Sequence, residues 1–404
     1  MEEIISTDEI RKFVERGKSY REEGNCDLSV REFEKILHNR DDLCFNNMVV
    51  NEIEISQGRA FLNSRPRGLG ITLTNQCNIR CIMCSVWQND WDIPEKTIRE
   101  IIGLFPYLEK IFYQGGEVFL SPHFEEILDN SLLYPNLRHD INTNGLLIDK
   151  RWAEKLVEAN ANLIFSIDGV TKETYENIRR GAKFETLLKS IQILNECRDG
   201  AAKNNNYKLR KCSTVINLVV MKSNYHELPD FVDFARQYQF DRLQVTPVDI
   251  ANSENIFRFK DEKALNFIHD VIPEMLKKGD DCGVSVLNWL PMSGEYAQDK
   301  QSVCIQNPVV TENDSEHSWR SSRPNSLSCY WPWQFLFIDA GGHVRPQCFC
   351  RKGVGNVQNN SIEEIWNNQL MQDYRERLFT NDCENWCDKR CTSGNIPRES
   401  LGLD

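Results

Sequence analysis

Three cysteines in a C-x3-C-x2-C spacing, Cys77, Cys81 and Cys84, constrain this chain more than any other feature. They lie in LGITLTNQCNIRCIMCSVW, Leu69 to Trp87, whose apolar start at Leu69, Ile71 and Leu73 breaks at Asn75. That pattern predicts a buried parallel strand that ends in a ligand-bearing loop. Thiolates this close in sequence suit a soft metal centre. A zinc ion, an iron–sulfur cluster and three structural thiols are all open on spacing alone. If the centre is a cubane of four irons, three cysteines leave one iron for an outside ligand.

The chain has 404 residues, enough for a large core and more than one average domain. It contains no apolar run long enough for a membrane span, and MEEIISTDEIRKF at the start lacks the apolar core of a signal peptide. Its 15 cysteines, an odd number without a secretory signal, favour metal ligation over a disulfide framework. A cytoplasmic protein is therefore expected, with no membrane partner. The net charge of -12 argues against nucleic acid as the main substrate.

Residues 1–65 are read as a helical N-terminal extension. Ile10, Phe13 and Val14, then Val30, Phe33 and Ile36, recur at helical spacing. YREEGNCDLSVREFEKIL is similar to one unit of a tetratricopeptide hairpin, which needs neighbours to bury its faces. A docking extension and a helical cap over a barrel end are the two readings.

From Leu69 strand and helix signals alternate. Strands are expected at Lys110–Gln114, His139–Asn142, Leu163–Ile167, Val215–Met221 and Leu243–Val248. Helices are expected at Lys96–Phe105, Phe124–Leu133, Lys150–Glu158, Ala182–Cys197 and Leu228–Tyr238. Such alternation specifies an α/β fold with helices outside a parallel sheet. Residues 256–327 read as a connecting segment, with a helix at Asp261–Lys278 and a long polar loop over 298–328. Residues 328–404 carry six cysteines: Cys329, Cys348, Cys350, Cys383, Cys387 and Cys391. A hairpin at Ala340-Gly341-Gly342 and a helix capped by Ser361 and Glu364 lie among them.

CNIRCIMC resembles the signature of the radical S-adenosylmethionine (radical SAM) enzymes. Met83 stands where the family commonly has an aromatic residue. The resemblance implies a partial (β/α)6 barrel over 66–255. It also implies that Cys77, Cys81 and Cys84 hold a [4Fe–4S] cluster whose open iron binds S-adenosylmethionine (SAM). An electron from the cluster would then yield a 5′-deoxyadenosyl radical. Active-site turns would gather at the C-terminal ends of the strands. Gly115-Gly116-Glu117 follows the second strand, where the family brings backbone and a carboxylate to the methionine amino group. Taken alone it would be an ordinary turn. Asn144 and Ser166 are candidates for ribose hydroxyls or a carboxylate, with turn capping as the alternative. Asp168 orients ribose or substrate, or makes its turn. Arg179 matches the place of an arginine on the SAM carboxylate, with Arg180 as competitor.

The C-terminal pattern resembles the SPASM and twitch extensions: C-x2-PW, hairpin, cysteine, GN, EIW, arginine, closing cysteines. The hairpin cysteine lies one residue further from Gly342 than usual, and the closing group is C-x3-C-x3-C. The resemblance implies at least one auxiliary [4Fe–4S] cluster, drawing on Cys329, Cys348 and two of Cys383, Cys387 and Cys391; Cys350 is a further candidate. Three functions follow. The first is oxidative modification of a peptide or protein side chain, with a reductant such as flavodoxin or ferredoxin. The second is a carbohydrate or aminocyclitol dehydrogenase or epimerase, with Cys212, Cys282 or Cys304 as hydrogen donor in the epimerase. The third is a non-catalytic iron–sulfur protein.

Overall fold

The computed structural model describes residues 5–86, 89–203, 212–249, 252–291, 329–379 and 386. In chain order the first elements are α1 (Thr7–Glu22), α2 (Cys26–Glu34), α3 (Leu43–Ser56), β1 (Gly68–Ile71), β2 (Arg80–Cys81), α4 (Glu95–Leu104) and β3 (Lys110–Tyr113). Next come α5 (Phe124–Ser131), β4 (Arg138–Thr143), α6 (Lys150–Glu158), β5 (Asn162–Ser166), α7 (Lys172–Ile178), β6 (Arg179–Arg180), α8 (Phe184–Lys203) and β7 (Ser213–Val220). Then follow α9 (Phe231–Gln237), β8 (Arg242–Pro247), α10 (Ile256–Phe259), α11 (Glu262–Cys282) and β9 (Ser285–Asn288). The last are α12 (Trp331–Gln334), β10 (Phe335–Ile338), β11 (His343–Arg345), β12 (Gly355–Asn356), α13 (Ile362–Trp366) and α14 (Gln369–Phe379). Among the described residues no helix is long and apolar enough to cross a membrane.

The chain forms two compact units: Met1–Gly70 with Pro94–Lys110 and Gln301–Asp404, and Ile71–Ile93 with Ile111–Lys300. The second is an α/β unit. Strands β4, β5, β7, β8 and β9 pair in that order, all parallel. Several helices start where a side chain satisfies a free N–H group. Asp149 accepts from the Trp152 amide at 2.9 Å, and Thr171 caps α7 in the same way. Leu163 and Phe165 are fully buried on β5 while Asn162, Ile164 and Ser166 are half-buried, so alternate residues face the two sides of the sheet.

The expected strands and helices are present within a few residues, except that the helix capped by Ser361 ends at Trp366 and a second, α14, follows it, and with two further differences. Leu228–Tyr238 is not one helix. Tyr225–Asp230 is a 3-10 turn containing Pro229, whose missing N–H interrupts the regular ladder, and α9 follows it. Strand β9 extends the sheet parallel to β8, with Arg242 level with Ser285. The polar stretch at 298–328 lies outside the described residues.

The first unit gathers the N-terminal helices with the C-terminal segment. Ser6 and Glu9 form a capping box on α1. Ile10, Phe33, Ile36 and Val49 make a small core there. Gly17 is required by close approach, since a Cβ would sit 2.7 Å from the Phe33 ring. The expected hairpin at 340–342 joins β10 to antiparallel β11, and Ser361 with Glu364 caps α13. Arg375 in α14 is fully buried. Its Nε donates to the Pro332 carbonyl (2.9 Å), Nη1 to the Ala60 carbonyl (2.6 Å) and Nη2 to the Trp366 carbonyl (2.7 Å). One side chain thus closes the open carbonyls of three separate segments. Burial alone pulls its pKa down to about 9.

Replacing Arg375 by Met leaves three buried carbonyls without donors. Each costs about 1–3 kcal/mol, so a total loss of several kcal/mol is expected. Chemical denaturation under anaerobic conditions measures it, and a variant with the wild-type midpoint refutes the account. A second expectation concerns acid. His139 on β4 is buried with its Nδ1 3.0 Å from the Tyr113 hydroxyl, and burial lowers its pKa from 6.5 to about 4. The folded state resists protonation that the unfolded state accepts. Its contribution is therefore complete above pH 6.5 and is lost as pH falls from 6.5 through 4, a change of about 3 kcal/mol. The stability of His139→Phe should vary less with pH across that window, as read from denaturation midpoints.

Candidate active site

The cysteine loop and the Gly-Gly-Glu turn are joined through their backbones. The Gln114 N–H donates to the Ile71 carbonyl (3.0 Å), Gly116 to Thr74 (2.9 Å) and Glu117 to Gln76 (2.8 Å). Gly115 has φ +115°, open to glycine and strained for other residues. At Gly116 the requirement is space: a Cβ would stand 2.1 Å from the Gln76 carbonyl oxygen, one residue before Cys77. The turn therefore shapes the loop that carries the thiols.

Glu117 is almost fully buried. Its carboxylate accepts from the Thr143 hydroxyl (2.8 Å) and the Asn144 N–H (2.8 Å). Burial pushes its pKa up to about 7, against the pull of these hydrogen bonds. Asn144 does two things. Its Oδ1 accepts from the Leu146 N–H (3.0 Å), closing the turn after β4. Its Nδ2 donates to Asn78 Oδ1 (2.7 Å) and lies 4.0 Å from Cys77 Sγ.

Asp168 and Arg179 meet on the other side of the loop. Asp168 is fully buried, accepts from the Val219 N–H (2.9 Å) and stands 2.6 Å from Arg179 Nη2. Arg179 Nη1 lies 3.6 Å from Cys81 Sγ. The contact is framed by a two-stranded antiparallel ladder in which Cys81 pairs with Arg179 and Arg80 with Arg180. The Ile82 N–H extends it, donating to the Ile178 carbonyl (3.0 Å). Of the competing arginines, Arg179 is buried and Arg180 exposed.

The three thiols are half-buried and in no disulfide. Burial pushes the Cys81 thiol up to about 11, though Arg179 opposes the rise. Burial also raises Cys77. Among the described residues no three His, Cys, Asp or Glu converge as they would on a single metal ion. A cubane makes a different demand, because each thiolate binds its own iron. Three adjacent thiols with N–H groups aimed at two sulfurs fit that donor set. A bound metal would take the place of the thiol protons.

Sequence reasoning missed several groups. Asn224 is buried and spans a junction: its Nδ2 donates to the Asp168 and Val219 carbonyls (both 2.9 Å), and its Oδ1 accepts from the Met221 N–H (2.7 Å). Glu227 accepts from the Val170 N–H (2.7 Å) and the Thr171 hydroxyl (2.5 Å). The inner sheet face carries two polar rows. The lower is bonded to itself: Ser213 Oγ to Asn162 Oδ1 (2.6 Å), Asn162 Nδ2 to Asp140 Oδ1 (3.0 Å). The upper is half-buried, with Ser166 level with Asn217 and Asn217 level with Gln244.

In the other unit Cys329, Cys348 and Cys350 are half-buried. Cys383, Cys387 and Cys391 lie outside the described residues. Trp386, between two of them in sequence, is described. Its carbonyl accepts from the Arg351 N–H (3.0 Å) and from the Tyr374 hydroxyl (3.1 Å), beside Cys350.

Residues 71–235 match the model of the radical SAM superfamily, and residues 329–392 match that of the SPASM iron–sulfur cluster-binding domain. The chain thus carries a radical SAM domain and a SPASM domain. A radical SAM domain implies a SAM-bound [4Fe–4S] cluster, and a SPASM domain implies auxiliary iron–sulfur clusters. The GTP 3′,8-cyclase of a Synechocystis species is 25% identical over 49% of this chain and 60% of its own length. Mycofactocin maturase MftC of Mycobacterium ulcerans is 27% identical over 41% of this chain and 43% of its own length. The matched region thus spans less than two thirds of either relative. The structure of Streptococcus suis SuiB bound to precursor peptide SuiA superposes with a TM-score of 0.55. That match has 15% identity and covers 82% of this chain and 71% of SuiB, which establishes a shared fold.

Gly116→Ala should lower the iron taken up at the cysteine loop on anaerobic reconstitution, because the added carbon meets the Gln76 carbonyl. Gly103→Ala, in helix α4 with nothing within 4 Å of its Cβ, is the control and should retain iron. Equal iron in the two variants would exclude the close-packing role of Gly116.

Proposed function

We propose that this protein is a radical SAM enzyme that modifies a peptide or protein side chain oxidatively, in the manner of enzymes that mature ribosomally made peptides. The observation that supports this most is the convergence of the three-thiol loop, the Gly-Gly-Glu turn and the Asp168–Arg179 pair in one unit. When bound at Cys77, Cys81 and Cys84, a SAM-ligated cluster supplies the electron that cleaves SAM and generates the 5′-deoxyadenosyl radical for hydrogen abstraction.

The chain's own residues prepare that chemistry. Gly115 and Gly116 let backbone approach the loop, and Glu117 offers a desolvated carboxylate suited to an ammonium group. Asn144 holds the loop through Asn78. Ser166, Asn217 and Gln244 form a row of neutral hydrogen-bonding groups across three strands. Such a row matches peptide amides or ribose hydroxyls and discriminates against isolated charges. Auxiliary iron at Cys329, Cys348, Cys350 and the closing cysteines would accept the electron left after hydrogen abstraction. MftC is a maturase by name and SuiB is seen with its precursor peptide, which supports a peptide substrate here. An epimerase would need a solvent-exchangeable donor, and Cys212 is poorly suited. It is buried, and burial pushes its thiol up to about 12.

The test is anaerobic reconstitution with candidate peptides and a reductant such as flavodoxin, following 5′-deoxyadenosine and substrate mass. Loss of two hydrogens from a peptide is the expected result. An unchanged mass with solvent deuterium in the product would replace this reading by epimerisation, and turnover on a sugar alone would exclude a peptide substrate.

A further inference from the structure

Arg179 makes a contact that SAM binding does not require. Its Nη1 stands 3.6 Å from the sulfur of Cys81, the middle cysteine of the loop. The ladder between β2 and β6 places Cys81 and Arg179 directly opposite, where cross-strand side chains share a face. The backbone therefore brings the two residues together, and the Arg179 rotamer held by Asp168 sets the guanidinium against the sulfur. On its far side the guanidinium meets Asp168, Nη2 to Oδ2 at 2.6 Å. Asp168 is itself anchored by the Val219 N–H, and its own carbonyl accepts from Asn224. The pair is withdrawn from solvent, at 7% and 0% side-chain exposure.

We propose that Arg179, positioned by Asp168, raises the reduction potential of the cluster held by Cys81. Adding an electron makes a cluster more negative. A fixed cation and an N–H group directed at a ligand sulfur both stabilise that reduced form. The effect is large where water is excluded, because the local dielectric is low. Asp168 plays a double part. It holds the guanidinium in place, and its opposite charge partly cancels the field at the sulfur. The two residues should therefore shift the potential in opposite directions when neutralised, which a purely structural role would not produce.

This inference rests on the reading of Cys81 as a cluster ligand. That reading is checked separately, by loss in Cys81→Ala of the EPR signal that changes when SAM is added. The test of the proposal is an EPR-monitored redox titration of the SAM-responsive signal in the reconstituted full-length protein, with iron and sulfide analysis of each variant. For Arg179→Gln the ratio of reduced to oxidised cluster at a fixed potential should drop at least tenfold, equivalent to about 59 mV for a one-electron couple. Asp168→Asn keeps an amide oxygen to accept from the guanidinium while removing the opposing charge, so it should shift the couple upward. Arg179→Lys keeps the charge without the directed fork and should fall between wild type and Arg179→Gln. Should Arg179→Gln not take up iron, Asp168→Asn decides alone: an upward shift supports the proposal and none overturns it. Unchanged potentials, or shifts of the same sign in Arg179→Gln and Asp168→Asn, also overturn it.

Discussion

At Gly116 two stretches of backbone come so close that no side chain fits between them. The carbonyl of Gln76 occupies the space where a Cβ would be, and the hydrogen bonds from Gly116 and Glu117 fasten the turn to the loop. Much of the candidate site depends on this contact. It sets the position of Gln76, hence of Cys77, and on the other side it delivers Glu117 into the interior. A carboxylate is expensive to bury, and burial does push Glu117 to about 7. The Thr143 hydroxyl and Asn144 N–H offset part of that cost. Thr143 ends β4 and Asn144 follows it directly, so the sheet itself positions the acid.

Most of the parallel strands and their turns were legible in the sequence because apolar residues recur in short runs or alternation and are followed within a few residues by Gly, Asn or Asp. The three-cysteine spacing, Gly115-Gly116-Glu117, Asn144 and Asp168 stand out for that reason. The helical cap at Ser361 was legible too, because a capping box is local. Strand β9 was not. Its four residues, Ser285–Asn288, carry no alternation that separates them from a loop, and only pairing with β8 defines them. Asn224 and Glu227 were hidden for another reason. Each bonds to segments more than fifty residues away, and nothing in their own neighbourhood marks an Asn or a Glu as buried. The ladder between Cys81 and Arg179 is equally invisible, since two-residue strands have no period.

The inner face of the sheet shows how one fold separates support from recognition. In the lower row Asp140, Asn162 and Ser213 bond to one another, so their polar groups are already matched. That chain ties three strands together and leaves little for a ligand. The upper row lies further toward the C-terminal ends of the strands: Ser166 ends β5, while Asn217 and Gln244 stand partway along β7 and β8, and all three are half-buried. Active sites of α/β proteins form at those ends because the turns there are free to vary while the strands below stay fixed.

The buried arginines make the same distinction in charge. Arg375 spends all its nitrogens on three carbonyls and the Asn367 side chain. Arg21 pairs with Glu52 at 2.6 Å and lies over the Tyr330 ring. Both are committed to holding chain segments together. Arg179 is also buried and, like Arg21, has an Nε with no hydrogen-bond partner among the described residues; it differs in that one of its Nη groups faces a thiol. A thiol is a weak acceptor in exchange for a desolvated cation, and a protein gains little stability from that arrangement. A thiolate bonded to iron is a far better acceptor, because it carries charge. What sets Arg179 apart is therefore the thiol it faces: Asp168 holds one Nη group while the other points at the Cys81 sulfur, an arrangement that the proposed metal-bound thiolate would complete.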